Sequence, residues 1–221
     1  MSSPLRQLAY RHRWIYDMVT GISALSVGGV DRLRKLGLSA LDPLLPRGSD
    51  VLDLCCGTGE AAEAWIKAGF QVTGLDVSPK ALELAQKRHP LMTCVEGLAE
   101  APPCPQASFD AIQISLALHE FPRDERQQVL TACLELLRPG GWLVVVDLHP
   151  AGPLLRIPQK VFCALFETET AVALLEDDLP RQFQDIGFRS IEQTVLAGEA
   201  LQRITARCPS GGMLDPTRET S

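Results

Sequence analysis

The decapeptide VLDLCCGTGE at residues 51–60 constrains the fold more than any other stretch, because it joins a buried strand to a turn that glycine builds most easily. Val51, Leu52 and Leu54 form a short apolar run bounded by turn residues, as in a parallel strand covered on both faces. Asp53 interrupts that run. A carboxylate buried there without a partner is costly, so it is expected to meet a cationic or hydrogen-bonding group at the strand end. Gly57 and Gly59 permit a sharp turn and close approach of a ligand to the backbone, and residues 60–67 then read as a helix. Strand, loop and helix together make a nucleotide cradle.

The glycines alone leave the nucleotide open, since Gly57, Gly59 and Ala62 also satisfy the GxGxxG/A fingerprint of NAD enzymes. The next strand, residues 71–75, ends in Asp76, 17 residues past Gly59, where a carboxylate can accept both hydroxyls of a ribose. Two later segments narrow the choice: ASFDAIQISLALHEF at residues 107–121 and LLRPGGWLVVVDLHP at residues 136–150. With this ordered series the chain resembles the class I S-adenosylmethionine (SAM) dependent methyltransferases over roughly residues 16–208.

That resemblance implies an α/β fold: a Rossmann-like doubly wound sheet of seven strands, mostly parallel with the last strand antiparallel, plus N-terminal helices. It also implies the cofactor, SAM. Asp53, Cys55, Gly57, Thr58 and Gly59 would surround its methionine end, and Asp76 would hold the ribose. Val77 would line the adenine with Leu98 and Ala99 on the opposite side, and Ser115 and Leu116 would pass beneath the sulfonium with their backbone. Many relatives place an aspartate where this chain has Leu98, so the adenine amino group is left to Glu100 or to backbone near Ala99.

Punctuation along the chain fits one domain over residues 1–208. Residues 1–45 read as an N-terminal helical region ending at Pro43 and Pro46, followed by a core at 46–208 with an insertion at about 151–179. Ser78 followed by Pro79 marks a helix start, and Pro90 ends that helix. Cys94 and Val95 belong to a short third strand, and residues 109–115 form the fourth. Residues 124–137 carry apolar side chains at helical spacing, and Arg138, Pro139, Gly140 and Gly141 are expected to turn the chain into the fifth strand. Residues 188–195 and 201–207 read as the last two strands. The segment 209–221 has little to bury and is expected to be disordered.

The formal charge of −6 disfavours a nucleic-acid partner. Residues 1–50 run against it with seven Arg or Lys against four Asp, an ordinary solvated face or else a candidate for peripheral contact with an anionic membrane. The seven cysteines include no CxxC pair and no Cys/His cluster of metal spacing, so no metal is expected and reduced, cytoplasmic usage is. Arg6, Arg11 and Arg13 interrupt the N-terminus, which argues against a cleaved leader.

Methyl transfer from SAM is an in-line displacement that needs alignment and desolvation more than heavy acid and base machinery. A base is still needed for a phenol or a protonated amine. His119, just after the fourth strand, is the first candidate, with a loop-packing role as the equal alternative; Tyr16 and His149 follow, and Asp147 reads equally as a structural strand-end carboxylate. Residues 14–35 resemble the first helices of the ubiquinone and menaquinone C-methyltransferases, with Tyr16 and Asp17 followed by Asp31, Arg32, Leu33, Arg34 and Lys35. Where that group carries Gly-Leu-Arg-Asn, this chain has Ala117, Leu118, His119 and Glu120. Leu154, Leu155, Ile157, Val161, Phe162, Leu165 and Phe166 form an apolar stripe that suits either helical core or a greasy acceptor pocket. The leading reading is a methyltransferase acting on a small, lipophilic aromatic or prenylated quinol acceptor. Two alternatives are an idle SAM-binding module and an NAD-dependent reductase. Against the reductase, Tyr10 and Tyr16 are the only tyrosines and neither begins a TyrxxxLys pair.

Overall fold

Alternation along the strands decides which face each helix covers. In β1 (Asp50–Leu54), Val51 and Asp53 share one side and Leu52 and Leu54 the other. In β4 (Phe109–Ser115), Ala111 and Gln113 side with the first pair, and Ile112 and Ile114 with the second. The computed structural model describes residues 29–153, 157, 159 and 169–211. Its other strands are β2 (Gln71–Asp76), β3 (Thr93–Glu96), β5 (Leu137–Leu148), β6 (Arg189–Leu196) and β7 (Leu201–Arg207). They form one sheet in the order β3-β2-β1-β4-β5-β7-β6. Strands β1 to β5 pair in parallel, and β7 lies antiparallel between β5 and β6. The expected seven-stranded, doubly wound sheet is present, with the last strand placed inside it rather than at its rim.

Helices α1 (Val30–Arg34), α2 (Leu36–Leu41), α3 (Ala62–Lys67) and α4 (Pro79–Arg88) precede the third strand. Leu41, Trp65, Leu82 and Ala85 from these helices pack with Val51, Ala111 and Val144. On the opposite face, α5 (Arg123–Leu136), α6 (Glu169–Glu176) and α7 (Leu179–Ile186) bring Val129, Leu130, Leu174 and Phe183 onto Leu52, Leu54, Ile112 and Ile114. Ser78 caps α4 as its sequence implied, its Oγ accepting from the Ala81 N–H at 3.3 Å with Pro79 in the first turn. Residues 1–28, including the expected pair Tyr16 and Asp17, lie outside the described residues. So do Leu154, Leu155, Val161, Phe162, Leu165 and Phe166 of the apolar stripe and residues 212–221 of the tail.

Two boundaries differ from the sequence reading. The helix expected at 60–67 starts at Ala62, because residues 58–61 remain in the glycine turn. The tetrad Arg138, Pro139, Gly140 and Gly141 does not separate helix from strand: β5 begins at Leu137 and carries the tetrad as a bulge. Phe109 pairs with Leu137 but Ala111 with Trp142, so β5 spends five steps where β4 spends two. Gly140 takes φ +79° within the bulge. Arg138 pins the bulge to neighbouring strands through Asp110 at 2.7 Å and Asp50 at 2.9 Å.

Gly37 sets how closely the N-terminal helices approach the sheet. A Cβ there would lie 2.1 Å from Gln113 Oε1 and 3.4 Å from Val144 Cγ1. Gln113 cannot swing aside cheaply, since its Oε1 accepts from Trp65 Nε1 at 2.8 Å and its Nε2 donates to Asp53 at 3.0 Å, all within the core. Gly→Ala inside a helix ordinarily stabilises by about 0.5–1 kcal/mol. Gly37→Ala is expected to reverse that sign and destabilise the fold by about 1–3 kcal/mol in urea unfolding, through overpacking and loss of a buried hydrogen bond.

Candidate active site

The strand ends of β1, β2 and β4 meet at one edge of the sheet, and the turns after them shape a cleft. After β1, Cys55 adopts φ +61°, Gly57 +53° and Gly59 +75°. The turn closes on itself through Gly59 N–H to Cys56 O at 2.9 Å and is tied to β2 through Cys56 N–H to Leu75 O at 3.0 Å. After β4, Leu116 adopts φ +53° and donates its N–H to Val146 O at 2.8 Å. Cys55 and Leu116 are thus two non-glycine residues held in left-handed conformations, each costing about 1–3 kcal/mol, and both face the same cavity.

That cavity has a volume of about 240 Å³, and Asp53, Cys55, Gly57, Thr58, Ser115 and Leu116 line it together with Leu33 and Arg34 of α1. Six of the eleven residues expected around the cofactor therefore converge on one space. The other five are not among its lining residues. Gly59 backs onto the end of α4, where a Cβ would lie 3.1 Å from His89 Cδ2 and 3.3 Å from Ala85 Cβ, so packing as well as its positive φ calls for glycine. Asp76 is the strut of the turn: Oδ2 accepts from the Gly57 N–H at 2.8 Å and Oδ1 from the Ser78 N–H at 2.9 Å. Val77 and Leu98 follow the paired residues Asp76 and Glu96 and are exposed by 65% and 50%, two apolar side chains open to solvent. Ala99 is buried in the core.

Asp53 has the partner its sequence position demanded, Gln113 Nε2, on one oxygen. Its Oδ2 is buried with no hydrogen-bond partner among the described residues, on a residue that lines the cavity. Burial pushes its pKa up to about 7, against the pull of the Gln113 amide and the Ala62 backbone N–H, with the Asp76 charge adding to the rise. The Cys55 thiol is pushed up to about 12 by burial and by the charges of Asp76 and Asp53. It is an uncharged wall of the site rather than a nucleophile.

His119 lies in a single 3₁₀ turn, Leu118–Glu120, beyond the end of β4. It is buried, and its Nδ1 is 2.6 Å from Oδ1 of Asp147, the fully buried carboxylate near the end of β5. Of the other base candidates, Tyr16 lies outside the described residues, and the His149 Nδ1 is 2.7 Å from Glu199 O in the hairpin between β6 and β7. Two features escaped the sequence reading. One is a latch over the cavity, Arg34 Nη2 to Glu60 Oε2 at 2.6 Å, with Arg88 reaching Thr58 O at 3.0 Å. Nothing in the sequence signals a pair 26 residues apart. The other is Gln113, which its position as a lone amide inside the apolar run AIQIS could have revealed. Among the described residues no cluster of His, Cys, Asp and Glu is suited to a metal, and no helix is long and apolar enough to cross a membrane.

Over residues 51–141 the chain matches the family described as a methyltransferase domain. It is 39% identical over 208 residues to an uncharacterized methyltransferase of Synechocystis sp., covering 94% of this chain and 97% of that one. It is 36% identical over 140 residues to a demethylmenaquinone methyltransferase of Renibacterium salmoninarum, covering 62% of this chain but only 56% of that protein. In fold it is similar to phosphoethanolamine N-methyltransferase 2 of Haemonchus contortus solved with S-adenosyl-L-methionine, at TM-score 0.68 and 16% identity over 94% of this chain and 60% of that one.

The raised pKa of Asp53 gives a stability test. The folded chain holds this proton up to about pH 7 and an unperturbed carboxyl only to 3.8, so ionisation of Asp53 opposes folding progressively between those values and fully above them. Asp53→Asn keeps an acceptor for Gln113 and removes the charge. It is expected to be more stable than the parent by roughly 2–4 kcal/mol at pH 8, with the gain vanishing near pH 4, in thermal or urea unfolding of the ligand-free protein.

Proposed function

The chain belongs to the class I SAM-dependent methyltransferases, and on that premise we propose that it methylates an oxygen or an activated ring carbon of a small, lipophilic aromatic or quinol-type acceptor. Membership in that family answers what the glycines left open, SAM rather than NAD, and sets aside the reductase alternative. SAM supplies a sulfonium-bound methyl group, which an acceptor's electron pair takes as the carbon–sulfur pair returns to sulfur. Everything else is left to the protein: binding, alignment, exclusion of water and disposal of a proton.

The observation that carries the cofactor assignment is the buried Asp53 Oδ2 left without a hydrogen-bond partner among the described residues, on a residue that lines the cavity. A carboxylate in that position suits the ammonium group at the methionine end of SAM, which would satisfy the oxygen and favour its ionised form. The backbone of Gly57 adds room, since a Cβ there would meet nothing within 4 Å. Ser115 and Leu116, which line the cavity, would form the floor; Asp76 is the residue proposed to hold the ribose, and the exposed apolar side chains of Val77 and Leu98, with Ala99, are proposed to take the adenine. His119 is the group proposed to take the acceptor's proton. Tyr16, from the N-terminal region, is retained as a second acid–base candidate. Residues 1–208 are taken as one catalytic unit.

A quinol-type acceptor is supported by the likeness to a demethylmenaquinone methyltransferase and by the basic character of residues 1–50, which suits an anionic membrane surface from which a prenylated acceptor could be drawn. Transfer of labelled methyl from SAM in a native cell extract, followed by partition between organic solvent and water, tests this reading. Label is expected in the organic phase; label confined to the aqueous phase would overturn the lipophilic acceptor. Asp76→Ala is expected to weaken SAM binding by about 1.5–3 kcal/mol, roughly 10- to 150-fold in Kd by calorimetry, because ribose contacts and the strut under Gly57 are lost together. Unchanged affinity would place the ribose elsewhere.

A further inference from the structure

Three charged side chains from separate elements meet at the glycine turn. Arg34, the last residue of α1, donates from Nη2 to Oε2 of Glu60 at 2.6 Å. The second oxygen of Glu60 has Arg88, at the end of α4, with Nη1 3.4 Å away, and the same nitrogen reaches Thr58 O at 3.0 Å and Thr58 Oγ1 at 3.2 Å. Two guanidinium groups thus converge on one carboxylate, one at each oxygen. Arg34 and Glu60 line the cavity together with Asp53, and Arg34 is the only cationic side chain among its described lining residues.

The backbone that carries Arg34 is set independently of this ion pair. Leu33, beside it in α1, is buried in a cluster with Leu36, Val146 and Leu201. Packing therefore delivers the guanidinium to the cavity, and the ion pair decides only what it holds. The side chains of Arg34 and Glu60 are exposed by 33% and 40%, and a pair that open to water is weak and readily exchanged. Glu60 engages it through one nitrogen, whereas a guanidinium offers five N–H donors in a fork that fits a carboxylate with two bonds.

We propose that Glu60 is a built-in competitor for the cofactor: Arg34 receives the α-carboxylate of SAM, which displaces Glu60, and Glu60 turns to Arg88. This rests on the reading of the cavity as the SAM site. The methionine end of SAM is a zwitterion, so a site that takes its ammonium at Asp53 needs a cation for the neighbouring carboxylate, and Arg34 is the described lining residue of that charge. The exchange strands no charge. Arg34 passes from one carboxylate to another, and Glu60 keeps the cation that its other oxygen already approaches. The hold of Glu60 on Arg34 subtracts from the affinity for SAM. The demethylated product keeps the same carboxylate, so the same competition favours its release. A ligand without that carboxylate leaves the Arg34–Glu60 pair closed.

Calorimetry on the full chain, comparing SAM with decarboxylated SAM, tests this. The second ligand keeps the adenosine, the sulfonium and the amine and has no carboxylate. The parent protein is expected to bind SAM roughly tenfold or more tighter than decarboxylated SAM; equal affinities overturn the proposal, whether or not any variant folds. Arg34→Gln is expected to bring the two ligands within about threefold of each other. Discrimination kept in full by that variant would mean that the carboxylate is held elsewhere, and the proposal falls. Glu60→Gln is expected to tighten SAM by about two- to fivefold and to leave decarboxylated SAM within about twofold of the parent. Weaker binding of both ligands by Glu60→Gln would make Glu60 a contact for the amine and overturn its role as competitor. Binding of neither ligand by the parent protein would overturn the SAM reading beneath the proposal.

Discussion

The hydrogen-bonded chain Trp65, Gln113, Asp53 holds this molecule in register. Gln113 of β4 sits directly beside Asp53 of β1 in the sheet, and its amide spans the gap between a strand and the helix above it. The burial that makes such a network costly when incomplete also makes it decisive when its members fit, since no slipped pairing of β1 and β4 would satisfy the amide and the indole together. Gly37 is shaped by the same network: α2 can lie on the sheet only because its backbone leaves the amide oxygen undisturbed.

The network is nevertheless left unfinished at one atom, Asp53 Oδ2, on a residue that lines the cavity. Left-handed Cys55 and Leu116 lie on the same wall. One unsatisfied carboxylate and two strained backbone positions therefore meet at this cavity, while the faces of the sheet away from the cleft are packed with Val, Ile, Leu and Phe. Folding free energy from those faces sustains a site that would not be stable by itself.

Much of this was legible in the sequence because it depends on local chemistry. Gly57 and Asp76 announce themselves by spacing, Ser78 with Pro79 by capping chemistry, and the seven strands by apolar runs between turn residues. What the sequence hid was long-range. Arg34 reaching Glu60, and His119 reaching Asp147, depend on which loops the crossovers bring to one edge of the sheet, and neither member of either pair is unusual among its own neighbours. The Arg138–Gly141 bulge was missed for a related reason: Pro and Gly ordinarily end a strand, and only the pairing of β5 with β4 shows that here they extend one. Gly59 shows a second use of glycine in such a loop, close approach to a neighbouring helix, which composition does not separate from approach to a ligand.

The insertion of β7 between β5 and β6 governs the order in which the molecule can be assembled during synthesis. Until Arg207 has left the ribosome, β5 has a neighbour on one side only, and the run Leu143–Val146, later buried in the sheet, presents an open, apolar hydrogen-bonding edge. The nascent chain must carry that adhesive edge through the translation of some sixty further residues, an exposure that invites pairing with other chains before the intended strand arrives.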